Sequence, residues 1–149
     1  MADNQGNMTI TAANSTFYLT VPGLYDSPVK IEQFGTDAMV SVAQNNPVVA
    51  QKGIDGHTSF GWVPTNKEVT ITLAADSPSL RIFEDWANYQ ETIREVMVCN
   101  AEFTLPAINR KVVGTRGAMT TAQTHPNAAQ TLQAAAFVLT FDKWVPSAL

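Results

Sequence analysis

The cleanest alternation of apolar and polar positions in the chain runs from Lys67 to Ala75, where Val69, Ile71, Leu73 and Ala75 share one face and Thr70, Thr72 and Ala74 the other. A period of two over this length predicts a half-buried antiparallel strand. At Asp76-Ser77-Pro78-Ser79 the period becomes helical. Ser77 suits the N-cap, Pro78 suits a first helical position where its missing N–H costs nothing, and Leu80, Phe83, Trp86 or Ala87, and Gln90 fall on one stripe. The spacing predicts one substantial helix over about residues 78–91, with Arg81, Glu84 and Asp85 facing solvent or a neighbour.

Upstream, Phe17 to Val21 reads as a short strand closed by Pro22-Gly23, Val29 to Phe34 as a second and Ala38 to Ala43 as a third, together an antiparallel meander. Met1 to Ser15 has little periodicity and reads as a mobile arm that orders against a neighbour. From Gln44 to Val63 regular patterning is lost, and Gly53-Ile54-Asp55-Gly56 forces a turn. Irregular excursions of this length are uncommon in compact domains and are usually functional or bound to something. Phe60 and Trp62, near its end, read as anchors of the loop base on the core in preference to docking residues.

Downstream, Ile93 to Leu105 reads as a long strand, partly apolar on both faces, and Asn109 to Thr121 as another, with Gly114 and Gly117 marking a bend or bulge. A low-complexity loop covers Ala122 to Gln133, and a last strand, Ala135 to Phe141, turns Phe137, Leu139 and Phe141 inward. No internal repeat is present, and 149 residues suit a single, mainly β domain with its own core.

Composition changes this picture in one respect. Charged residues make up 15% of the chain against 45% hydrophobic, well below the roughly 25% charge of ordinary soluble domains. Either copies of the protein cover much of its surface, since interface cores are charge-depleted, or the surface is simply rich in Thr and Ala. A net charge of −4 and a pI near 5.0 exclude a protein that grips nucleic acid through clustered Lys and Arg, while permitting a conduit past which nucleic acid slides. One cysteine allows no intrachain disulfide, and a reducing interior is favoured. No apolar run reaches the ~20 residues of a membrane span, and the acidic, polar start does not resemble a signal peptide.

Tests for chemistry fail on partners. His57 and His125 lack metal-ligand spacing, and Cys99 sits mid-strand among apolar residues, where a thiol fills core. Glu84 and Asp85, adjacent on a helix, point to different sides. Gly53 to Gly56 and Gly114-Thr115-Arg116-Gly117 lack the lysine and strand-to-helix setting of a phosphate loop. No catalytic, cofactor-binding or metal-ligating residue is therefore assigned, and no enzyme activity is expected.

The segment Val29 to Glu91 resembles the tail tube proteins of contractile-tailed bacteriophages. Five stretches in order carry the likeness: Phe34-Gly35-Thr36-Asp37-Ala38, Gly53-Ile54-Asp55-Gly56, Phe60-Gly61-Trp62-Val63-Pro64, Val69-Thr70-Ile71-Thr72-Leu73 and Asp76-Ser77-Pro78-Ser79. The resemblance implies an antiparallel β-sandwich or barrel with one flanking helix, the fold shared with the type VI secretion tube protein. It also implies homo-hexameric rings stacked into a hollow tube, with sheath and baseplate proteins as partners, and DNA passing through unbound. The location implied is the virion tail, assembled in the host cytoplasm. Thr70 and Thr72 become candidate wall residues, while Val69, Ile71 and Leu73 belong to the core. The loop that reaches an adjacent ring in that family matches Gln44 to Gly61 here, which makes Asn45, Asn46, Pro47, Val48, Val49, Lys52, Gly53, Ile54, Asp55 and Gly56 contact candidates, with Arg116 a further one. Two other readings remain: a baseplate tube initiator of the same fold, and a small β-barrel binding module using Trp62, Trp86 or Trp144.

Overall fold

The strand predicted at Lys67 to Ala75 lies near one edge of a seven-stranded antiparallel sheet in the computed structural model, which describes residues 15–32 and 40–149. In chain order the elements are β1 (Thr16–Val21), β2 (Tyr25–Lys30), β3 (Val40–Val42), β4 (Val48–Lys52), β5 (Thr58–Trp62), β6 (Lys67–Leu73), α1 (Leu80–Ile93), β7 (Cys99–Leu105), β8 (Arg110–Ala122) and β9 (Ala135–Ala148). The sheet runs β2-β1-β7-β8-β9-β6-β3, and β4 and β5 form a separate hairpin. The mainly β, antiparallel, single-helix fold is as the sequence predicts. The mobile arm proposed for residues 1–15 falls, up to residue 14, outside the described residues, as do residues 33–39.

The sheet and helix enclose one apolar cluster. Phe17, Leu19 and Val21 of β1, Val69, Ile71 and Leu73 of β6, and Phe137, Leu139 and Phe141 of β9 are buried in it together. Strands from both ends of the sheet thus share a core, which requires the sheet to curl around it. α1 closes that core: Phe83 stacks on Phe137 with ring centroids 4.5 Å apart, and Trp86 donates its Nε1–H to the Met97 carbonyl at 3.2 Å. The predicted stripe holds, with Phe83 and Trp86 buried and Arg81, Glu84 and Asp85 exposed.

Several boundaries differ from the sequence reading, each for a local reason. The helix starts at Leu80, and Ser77 does not cap it. The Ser77 hydroxyl donates to the Glu32 carbonyl and accepts from Ser79 N–H, while Ser79 Oγ accepts from Glu32 N–H at 2.8 Å. Both serines therefore tie the end of β2 to the helix start. The long strand expected from Ile93 begins only at Cys99. Arg94 takes the left-handed conformation at φ 58, its N–H donates to Gln90 O, and Gln90 Oε1 accepts from Met97 N–H, so the connector is fastened back onto the helix. The three-strand meander is also overturned: β3 pairs with β6, at the sheet edge opposite β2.

The bulge expected near Gly114 and Gly117 is present. Arg116 sits at φ 53 between them, and the β7–β8 register slips there. Gly114 is required on a second ground: a Cβ would come within 2.6 Å of the Trp144 indole, and one on Gly117 would strike the buried Phe141 ring. The last strand runs on past Phe141 to Ala148, paired with β8 throughout but with β6 only as far as Phe141. Among the described residues, 142–148 of β9 therefore have a strand on one side alone.

Candidate functional site

The segment read as an irregular loop is a regular hairpin that leaves the body. Val48 pairs with Trp62, Ala50 with Phe60 and Lys52 with Thr58. Its three-residue tip, Ile54-Asp55-Gly56, is closed by Gly53 N–H donating to His57 O at 2.8 Å, with Asp55 Oδ1 accepting from His57 N–H. Gly56 at φ 88 takes the left-handed place that ends such a turn, and glycine fills it without strain. The sequence loses patterning here because neither strand buries a face: every residue of β4 is exposed. Alternation marks burial, and there is none to mark.

The root of the hairpin continues the β3–β6 pair. Ala43 N–H donates to Glu68 O, Asn45 Nδ2 to Thr65 Oγ1 at 2.8 Å, and Val63 N–H to Pro47 O at 2.7 Å. Pro47 and Pro64 interrupt the ladder between the body and the arm, since neither can donate. Five paired residues at about 3.3 Å each carry the tip roughly 17 Å beyond this root.

Cross-strand partners share a face, so Val48, Ala50, Phe60 and Trp62 line one side, and Val49, Gln51, Ser59 and Gly61 the other. The first side is apolar from the root to Ala50 and Phe60, ends at the tip on Lys52 and Thr58, and is open to solvent, with Phe60 73% and Trp62 75% exposed. The expectation that these two aromatics anchor the loop on the core is thus overturned. They belong with the contact candidates, and their alternate spacing across Gly61, opposite Val48 and Ala50, is the signal that could have placed them there. Of the contact candidates, Val48, Val49, Lys52, Gly53, Ile54, Asp55 and Gly56 lie on the hairpin and Asn45, Asn46 and Pro47 at its root. Arg116, on the β8 bulge, is held by its N–H donating to Asn100 Oδ1 and stands apart from them.

The sheet face away from the core carries half-buried Thr16, Thr20, Thr70, Thr72, Thr104 and Thr140, with hydroxyl contacts between Thr16 and Thr104 and between Thr120 and Thr140. Its charges are few, chiefly Glu68 and Glu102 against Lys30 and Lys111. α1 lies on the opposite side of the sheet, packed through Phe83 onto β9.

Among the described residues, no group of three or more His, Cys, Asp or Glu gathers to hold a metal, and no helix is long and apolar enough to cross a membrane. Cys99 is fully buried, and desolvation pushes its thiol from 9.0 up to about 12. It is core filler. A pKa raised on folding stabilises fully below the unfolded value of 9.0, and that contribution is lost as pH climbs toward 12. We expect a thiol reagent at pH 8 to modify Cys99 only as fast as the protein opens, and stability to decline above pH 9 by less in Cys99→Ala than in the parent. Reagent kinetics and pH-dependent melting check both.

The family model described as Tail fiber protein gp32 matches residues 8–145. Among curated proteins none matches the sequence. Among solved structures, the fold is similar to a chain of the sheath-tube complex of the PVC extracellular contractile injection system in its extended state, with TM-score 0.63, 13% identity, and 100% of this chain and 99% of that one covered. It is also similar to a chain of the six-fold symmetrised anti-feeding prophage baseplate, with TM-score 0.61, 9% identity, and coverage of 99% and 98%. A third likeness is to the anti-feeding prophage tube terminating cap, with TM-score 0.56, 12% identity, and coverage of 89% and 88%.

Proposed function

The chain belongs to the Tail fiber protein gp32 family, a tail-associated structural protein with a tube-like fold, and from that premise we propose that it is a tail tube subunit. In this reading six copies form a ring, rings stack into a hollow tube, and the tube carries DNA. The hairpin is the observation that carries it. A two-stranded hairpin is marginal by itself in water, and this one exposes Val48, Phe60 and Trp62 on one face. Such an arm is stabilised by what it lands on.

Fiber and tube are different tail parts, so the family description and the structural likenesses pull apart. Correspondence of the whole chain to a chain of a sheath-tube complex, over nearly its full length, favours the tube. Six copies accord with the six-fold symmetry of the baseplate that holds a second similar chain. The stretch of β9 and the edges of β2 and β3 that have no partner among the described residues supply backbone groups for neighbouring copies, and pairing them removes an aggregation hazard. The threonine face suits the wall: hydroxyls hydrate it, and an acidic chain repels a polyanion in transit. With that face inward, α1 lies outward, where a sheath would run.

Electron microscopy of purified protein tests the reading. Rings and tubes of rising length are the expected result. A monomer at every concentration would sink the proposal and favour a discrete binding module. Single rings that never extend would favour the baseplate tube initiator.

A further inference from the structure

Resting on the hairpin as an arm between copies, we infer that the arm lands in the groove at the root of the hairpin on a second copy, with Ile54 as the inserted side chain. The groove measures about 630 Å³ and is lined by Trp62, Pro64, Lys67, Asp142, Lys143 and Trp144, among others. It exists because two pairings end at different places. β6 meets β9 only as far as Lys67 opposite Phe141, while β9 runs on to Ala148, so the hairpin root rises past an unpaired strand edge. Trp144 is fixed in the floor by Phe141, 5.1 Å away between ring centroids, and by the space that Gly114 leaves for its indole.

The tip and the groove complement each other. Ile54 is fully exposed and apolar, as the floor of the groove is apolar. Beside it stand Asp55 and Lys52; on the groove stand Lys67 and Lys143, with Asp142 between the strands. Asp55 Oδ1 accepts from His57 N–H, which orients the carboxylate and leaves its other oxygen for a lysine. An apolar insertion ringed by charge pairs is how stable contacts concentrate their binding energy.

This complementarity makes a second copy the occupant, since the groove's own tip cannot reach it. Trp62 and Pro64 line the groove at the root, and the tip lies roughly 17 Å away along a paired, extended ribbon. Each copy therefore carries one knob and one socket on different surfaces. Such a head-to-tail contact propagates from copy to copy, closing into a ring or running along a stack.

Charge reversal and cross-linking test this on the full chain. Asp55→Lys and Lys143→Asp, both at exposed positions, should each raise the concentration needed for assembly about tenfold, and the double variant should return to within about threefold of the parent. Oxidised assemblies of an Ile54→Cys, Val145→Cys variant should give a ladder of covalent oligomers on a non-reducing gel, with buried Cys99 silent. A parent that assembles while the single reversals have no effect, or while no ladder forms, overturns the socket and leaves the tube reading intact. A parent that forms no rings or tubes overturns both.

Discussion

A chain in which residues 48–62 are replaced by a Gly-Ser link is expected to fold, to melt within about 2 °C of the parent, and to form no tube. The cut ends are already neighbours, because Val63 N–H donates to Pro47 O at 2.7 Å. No residue of the hairpin belongs to the core cluster, so its removal forfeits only the pair's own contacts. What assembly loses is much larger. A buried aromatic at an interface centre commonly contributes 2 kcal/mol or about 30-fold in affinity, and the hairpin offers both Phe60 and Trp62. The hairpin must be taken out whole. Removing only residues 45–53, as an irregular loop would invite, strands β5 without a partner and cuts the Asn45 to Thr65 bond at the root. Circular dichroism melts and electron microscopy of the same preparation decide the matter: a folded chain that still builds tubes would show that the arm is dispensable, and an unfolded one that it belongs to the folding unit.

What was legible in the sequence follows burial. β6 buries Val69, Ile71 and Leu73 and alternates cleanly, and α1 buries Phe83 and Trp86 on a recognisable stripe, so both could be read to within two residues. The hairpin buries nothing within one copy, and its pattern therefore looked like none. Ser77 misled for another reason: Ser-Pro before a helix fits an N-cap, but a hydroxyl serves whichever backbone group is near, and here the fold brings Glu32 to it. Pairing order was the least legible. Nothing local to Val40–Val42 says that its partner is β6, some thirty positions on, when β2 lies closer in sequence. The candidate site was found as a place and missed as a shape. Its glycine turn is legible in Gly53-Ile54-Asp55-Gly56, whereas Phe60 and Trp62 point to the core only because large aromatics usually lie there, and here they stand exposed.

Trp86→Ala is expected to cost the single chain about 3–5 kcal/mol, the range for a large buried aromatic truncated to a methyl. Trp86 is fully buried, tilts against Phe83 at 6.3 Å between ring centroids, and fastens the connector after α1 through Met97 O. The loss is thus a cavity under the helix together with an unpaired carbonyl. At about 2–4 °C per kcal/mol for a chain of this size, the melting temperature should fall by roughly 6–20 °C. Trp86→Phe weighs the two contributions differently: it keeps a buried aromatic ring, removes the donor together with a smaller volume, and should cost about 2–3 kcal/mol. Chemical denaturation measures both, and equal losses in the two variants would show that the hydrogen bond, rather than the cavity, dominates. Below its own melting temperature Trp86→Ala should still assemble, because the hairpin, the groove and the open stretch of β9 are untouched. That behaviour is the reverse of the hairpin excision. Together the two variants separate what holds one copy together from what would hold copies to each other: α1 and the curled sheet do the first, and in the proposed tube the surfaces that a single copy leaves exposed do the second.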